Sequence, residues 1–218
     1  PWDSDTSDIE FVETRWVLFD LGSTVLTSED TYTLPDNQID PFEQQIFKST
    51  NVNLHILRQR MNIYKGIINL EYGLGFGFYK LMFENPVRMV PEQPQVTFEY
   101  TPEVNYKKTR LNYSYFQLPL MLSFETNPKK RFSSFHVSAG GYFGIRTGAN
   151  YKTKVDGDKD KEKDDFNLNP FQYGLRGQVG YGPFNLYATY QLNELFDVDK
   201  DNGYELYPFS IGVILLPF

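Results

Sequence analysis

Two histidines and no cysteine stand in this 218-residue chain, so its stock of nucleophiles, general bases and soft metal ligands is small. Thiolate catalysis, disulfides and zinc–thiolate sites are excluded outright. His136 lies between Ser134 and Ser138 at a spacing of two, which on a strand sets imidazole and hydroxyls on one face. That is the start of a hydrolase constellation, but no third group at the same spacing orients the ring. His55 falls on another segment at another depth, and no catalytic set is expected. Asp197, Asp199 and Asp201 alternate as the oxygen ligands in the first half of a calcium loop do. Gly203 comes one place late for that pattern and Pro208 stands where the closing Glu belongs, so a solvated turn is expected there, with calcium as the alternative and no other cofactor. Asp20, Glu71, Arg146 and Arg176 are charges embedded in otherwise apolar alternation. Two acids against two bases read as a lumen charge network, because a charge in a small interior must be paired to be tolerated. A gate or proton path is the functional version of that network, and a structural plug is the expected one.

The elements that position these residues alternate with period two. From Phe171 to Tyr181, apolar Phe171, Tyr173, Leu175, Val179 and Tyr181 face away from Gln172, Gly174, Arg176, Gln178 and Gly180. From Ile68 to Phe78 the same split recurs, and its glycines oppose a helix. Further segments are read at Trp16 to Leu26, Thr50 to Leu57, Phe116 to Phe124, Phe135 to Tyr151, Phe184 to Asn193 and from Tyr204 to the end. Repeated glycines on the polar side suit a narrow barrel interior, where side chains from opposite walls share little space. No run reaches the roughly 18 apolar residues of a spanning helix, so any membrane crossing is by strands. The mean hydropathy of -0.47 is no contrary sign, since the two faces of a barrel strand cancel in any average.

Connections alternate in length: about 27–49, 84–106, 152–165 and 195–203 are long, whereas 126–131 and 182–183 are short. The turn after the second strand lies somewhere between Arg58 and Gly66. Long loops outside and short turns in the periplasm are the habit of outer-membrane barrels, and an even strand number leaves both termini periplasmic. Aromatic residues make up 17% of the chain, enough for belts at two interfaces. Trp16, Phe124, Phe132 and Phe218 are read on the turn side, and Phe83, Tyr113, Tyr115, Tyr151 and Tyr204 on the loop side. The run from Asp156 to Asp165, with no apolar residue, reads as a mobile outer loop, and Lys129, Lys130 and Arg131 as a solvated turn. The net charge of -7 and the lack of a large basic surface speak against nucleic acid.

The segments YFQLPLML, Tyr115 to Leu122, and LEYGLGFGF, Leu70 to Phe78, resemble the PorT-like outer-membrane β-barrel domain family of the Bacteroidota, over about Arg15 to Phe218. The resemblance implies an OmpA-type eight-stranded barrel and, for some members, a tie to protein secretion. Gln117 stands where a Glu is common in that family. Pro217 departs from the usual terminal signal for barrel assembly, whereas Phe218 fits it. The expected fold is all-β, a closed antiparallel eight-stranded transmembrane β-barrel over 15–218, with long extracellular loops and short periplasmic turns. An acidic periplasmic segment or linker, 1–14, precedes it and is read as continuing a longer polypeptide. The expected role is that of a non-enzymatic structural or accessory subunit of a larger outer-membrane assembly, in contact with outer-membrane lipid and with other outer-membrane or periplasmic proteins. The alternatives are a lipid-modifying barrel enzyme and a soluble lipocalin-like barrel that binds a ligand on an inward apolar face.

Overall fold

The computed structural model describes residues 10–28, 40–99, 106–155 and 158–215. Residues 1–9 of the acidic N-terminal segment, and Pro217 and Phe218, on which expectations were placed above, lie outside those residues. Eight long strands follow one another: β1 Val12–Thr27, β2 Thr50–Tyr64, β3 Ile68–Phe83, β4 Tyr106–Glu125, β5 Phe135–Val155, β6 Phe171–Tyr181, β7 Phe184–Gln191 and β8 Tyr207–Leu215. Each pairs antiparallel with its neighbour in sequence, and β1 pairs with β8 from Phe19↔Leu215 to Thr27↔Tyr207. The sheet is therefore a closed ring with no free edge in its main body.

Period two divides the ring into an apolar outside and a polar inside. On β4, Leu118, Leu120, Leu122 and Phe124 are exposed, while Gln117, Met121, Ser123 and Glu125 are buried. An inward apolar face of the lipocalin kind is ruled out by this arrangement. The outward apolar run from Phe116 to Phe124 matches the roughly 9–11 residues with which a tilted strand crosses a bilayer. Beyond it, towards the long loops, the outward positions become Ser114, Asn112 and Arg110. Inside, glycines make room for large partners. A Cβ on Gly22 would lie 2.5 Å from the Tyr187 hydroxyl and 2.8 Å from the Asn51 side-chain oxygen, to which that hydroxyl donates at 3.2 Å inside the lumen.

Several strands run past their expected ends. β2 continues to Tyr64 and turns through Lys65 and Gly66, both at positive φ, with the Ile67 N–H donating to the Tyr64 carbonyl at 2.9 Å. That is the tight turn whose twist matches a hairpin. Arg58 and Arg60, which read as turn residues, point into the lumen instead. A register shift between His55 and Leu57 and a positive φ at Val17 change the facing of β2 and β1 at one level. On β5 a shift opposite Ser114 and Tyr115 inserts Thr147. Gly148 thereby turns outward and Ala149 inward, the reverse of strict alternation. Pro119, with no N–H to give, sits at a gap in the β3–β4 ladder between Tyr72↔Leu120 and Gly75↔Gln117.

The long connections form a packed cap. Arg88–Met89 and Phe98–Glu99 make a short hairpin. Part of the charged run expected to be a mobile loop is a strand, Asp158–Glu162, paired with Tyr151–Val155. All four long connections supply residues to one buried cluster: Phe42; Met89 and Val96; Phe166 and Leu168; Leu195, Phe196 and Leu206. The ring's upper rim completes it with Leu81, Phe83, Leu111, Tyr113, Tyr115 and Tyr151. The assignment of Phe83, Tyr113, Tyr115 and Tyr151 to a lipid-side belt is thus corrected: all are buried, with Tyr204 packed beside them. Composition cannot separate the two roles, since an aromatic ring suits an interface belt and a core equally well. On the turn side, Trp16, Phe124 and Phe132 are exposed as a belt requires.

Candidate functional site

The lumen holds the chain's buried polar chemistry, in layers. At the short-turn end is a vestibule of about 50 Å³, lined by charged and polar groups that include Arg58, Arg60, Glu71, Glu125 and His136. Arg58 on β2 pairs with Glu71 on β3 and donates to the Gln178 side-chain oxygen on β6 at 2.8 Å. Arg60 pairs with Glu125 across the ring, and Arg15 with Glu13 at 2.8 Å at the mouth. Period two on β2 aims Arg58 and Arg60 the same way, past Gln59, which faces out and donates to Thr14.

At mid-height Asp20 is fully buried. Its Oδ2 accepts from Arg176 Nη2 at 2.6 Å and from His55 Nε2 at 2.8 Å. The Arg176 guanidinium also lies over the Tyr187 ring, 4.6 Å from its centroid. Three strands thus meet at one carboxylate, β1, β2 and β6, tying distant walls of the ring together. Above this lie Tyr79 and Gln117, whose amide donates to the Tyr79 hydroxyl at 2.8 Å, and Tyr79 stacks on Tyr113 at 4.9 Å between centroids. The cap's apolar core closes the far end.

Of the four charges singled out from sequence, Asp20 and Arg176 meet directly, whereas Glu71 pairs with Arg58. Arg146 stands apart from both pairs. It donates to the Leu168 carbonyl and faces the Asp165 carboxylate at 3.4 Å, fastening the third long connection to the ring. Arg58, Arg60, Glu125 and His55 were missed as lumen groups. Their signal was there: Asn51, Asn53 and His55 alternate, as do Arg58 and Arg60, and Glu125 extends the inward series of β4. His136 contacts Asn185. Ser134 is engaged elsewhere, accepting from the Asn127 N–H at 2.9 Å in the turn, so serine and imidazole are not joined. The cavity beside His55 is about 10 Å³, room for one water at most.

Asp197, Asp199 and Asp201 lie in the fourth long connection and do not converge. Asp197 lies 3.7 Å from Lys200, and Asp201 accepts from the Gly203 N–H at 3.0 Å. Among the described residues no group of three His, Cys, Asp or Glu side chains is placed to hold a metal ion.

An apolar exterior one bilayer span tall, a polar and ion-paired interior, and a closed antiparallel ring define a transmembrane β-barrel. The family model for the outer membrane protein beta-barrel domain matches residues 26–197, and the chain belongs to that family. Among solved structures similar to it is Ail, the attachment invasion locus protein of Yersinia pestis, at 11% identity and a TM-score of 0.34, covering 94% of this chain and 97% of that one. No curated protein matches the chain.

Proposed function

We propose that this outer-membrane barrel is a non-conducting, non-enzymatic accessory subunit of a larger outer-membrane assembly, and that it works through its surfaces. The observation that carries this reading is the filled interior: ion pairs occupy the vestibule and mid-height, tyrosines the upper lumen, and an apolar core the loop end. Such a ring has no path for a solute and no room for a substrate beside His55. Four long connections fused into one packed cap offer a rigid platform, the kind of surface a protein partner needs. In this reading the cap faces outward and both termini the periplasm, following the loop asymmetry. A tie to secretion machinery rests on the likeness of YFQLPLML and LEYGLGFGF to PorT-like barrels of the Bacteroidota. The test is the particle mass after gentle detergent extraction, with the accompanying chains identified. A large particle of fixed stoichiometry is expected; a lone chain of 25.5 kDa plus detergent would overturn the subunit role.

A further inference from the structure

The register of the outer surface where β3, β4 and β5 leave the apolar belt grades from apolar to cationic in steps of one row. The lowest row is Leu54, Phe76, Phe116 and Ile145, and the next is Val52, Phe78, Ser114 and Gly148. Above these come Thr50, Lys80, Asn112 and Asn150, and then Arg110, Lys152 and Lys161 side by side. Lys154 lies one row further on, with Lys159 as its register partner. The alternating charges of the Asp158–Glu162 strand explain how this arises. On a strand, alternation sorts charges onto two faces, so Lys161 shares the outward face of Lys152 while Glu162, opposite Tyr151, turns inward to Arg88. Other acids of the segment are also engaged: Asp164 accepts the Glu92 N–H at 2.8 Å, and Asp165 faces Arg146. Lys80 and Lys163 have no ion-pair partner among the described residues. Both line a cleft of about 490 Å³ whose lower wall is Val52 and Phe78 and whose upper wall carries Asn112 and Asn150.

We infer that this cleft binds one phosphate-bearing membrane lipid from the leaflet on the long-loop side, its phosphate between Lys80 and Lys163 and an acyl chain running down over Phe78 and Val52. The occupant follows from position and charge. The cleft straddles the level at which the outer face stops being apolar, where lipid headgroups lie. Its cations stand on the headgroup side and its apolar wall is continuous with the lipid-facing belt, a pattern that fits an anionic amphiphile better than a soluble anion.

The test is native mass spectrometry of the full barrel in neutral detergent with dimyristoyl phosphatidic acid. One retained lipid is expected, with no comparable retention of dimyristoylglycerol, which lacks the phosphate. K80Q/K163Q should weaken retention roughly thirtyfold, the loss of two near-surface cations. G148F keeps every charge but fills the cleft, since a side chain there enters open space, and it should abolish retention. Both changes lie outside the lumen, and altered electrophoretic mobility of the unheated barrel confirms folding. Retention of dimyristoylglycerol equal to that of the phosphatidic acid would overturn the inference, as would wild-type binding by both variants. Displacement of the lipid by equimolar inorganic phosphate would also overturn it and make this a site for a soluble anion.

Discussion

Asp20 concentrates the lumen's electrostatics on one oxygen. Its Oδ2 serves both Arg176 and His55, and its Oδ1 has no hydrogen-bond partner among the described residues. In so dry a place the pair is a poor source of net stability, yet either partner alone is worse, because an unpaired buried charge keeps its desolvation cost without the attraction. D20N should therefore destabilise the barrel by about 3–5 kcal/mol by stranding Arg176. D20L/R176M, which removes both charges and keeps apolar bulk, should recover most of that loss. Urea unfolding in detergent micelles, followed by tryptophan fluorescence, checks this. A double variant no more stable than D20N would show that the pair's charges are not what the ring depends on.

For the strands, the decisive property is which face meets lipid. Leu186 on β7 lies outward between Val179 and Val213 in the apolar belt. An arginine near the middle of that belt should cost about 2–4 kcal/mol, so L186R should fold into vesicles with a matching loss of stability; unaltered stability would place β7 the other way round. This facing was legible in the sequence because period two survives wherever a strand is regular, as in all of β6. It failed where the ladder is irregular: Thr147 inserted in β5 exchanged the facing of Gly148 and Ala149, and no residue type announces such a bulge. The end of β2 was hidden for a different reason. Arg58 and Arg60 read as solvent-loving, and only their partners Glu71 and Glu125, on other strands, make an interior position tolerable. Their spacing of two marked a shared face, but that the face is the inward one depends on this long-range pairing. Half of the Asp20 centre was visible as Asp20 and Arg176, and His55 continues the inward alternation of Asn51 and Asn53; the shift in β2 that alternation alone does not reveal comes just after it and turns Arg58 and Arg60 inward.

Across the whole molecule, ring and cap respond to different conditions, because one is held by hydrogen-bond ladders and ion pairs and the other by apolar burial among loops. Glu194 is the cap's sensitive point. Burial, together with Asp201 and Glu205 nearby, raises its carboxyl above the ordinary carboxylate range. The folded cap therefore holds that proton more tightly than the unfolded chain does. Its contribution is fully present below the ordinary carboxylate pKa and is lost as pH rises through the raised folded value. The charge then sits beside two other acids with one oxygen, Oε2, lacking a hydrogen-bond partner among the described residues. E194Q removes that burden while keeping the shape, so its stability advantage over wild type should be absent in mild acid and grow towards neutrality. Protease cleavage of the long connections, measured for both proteins from about pH 4 upward, reads this out with the ring as an internal control, since ordinary glutamates begin to ionise there. Equal cleavage at every pH would mean that Glu194 is solvated and that the cap is indifferent to its charge. A widening gap with rising pH would show a cap that tightens in acid above a ring that holds its shape.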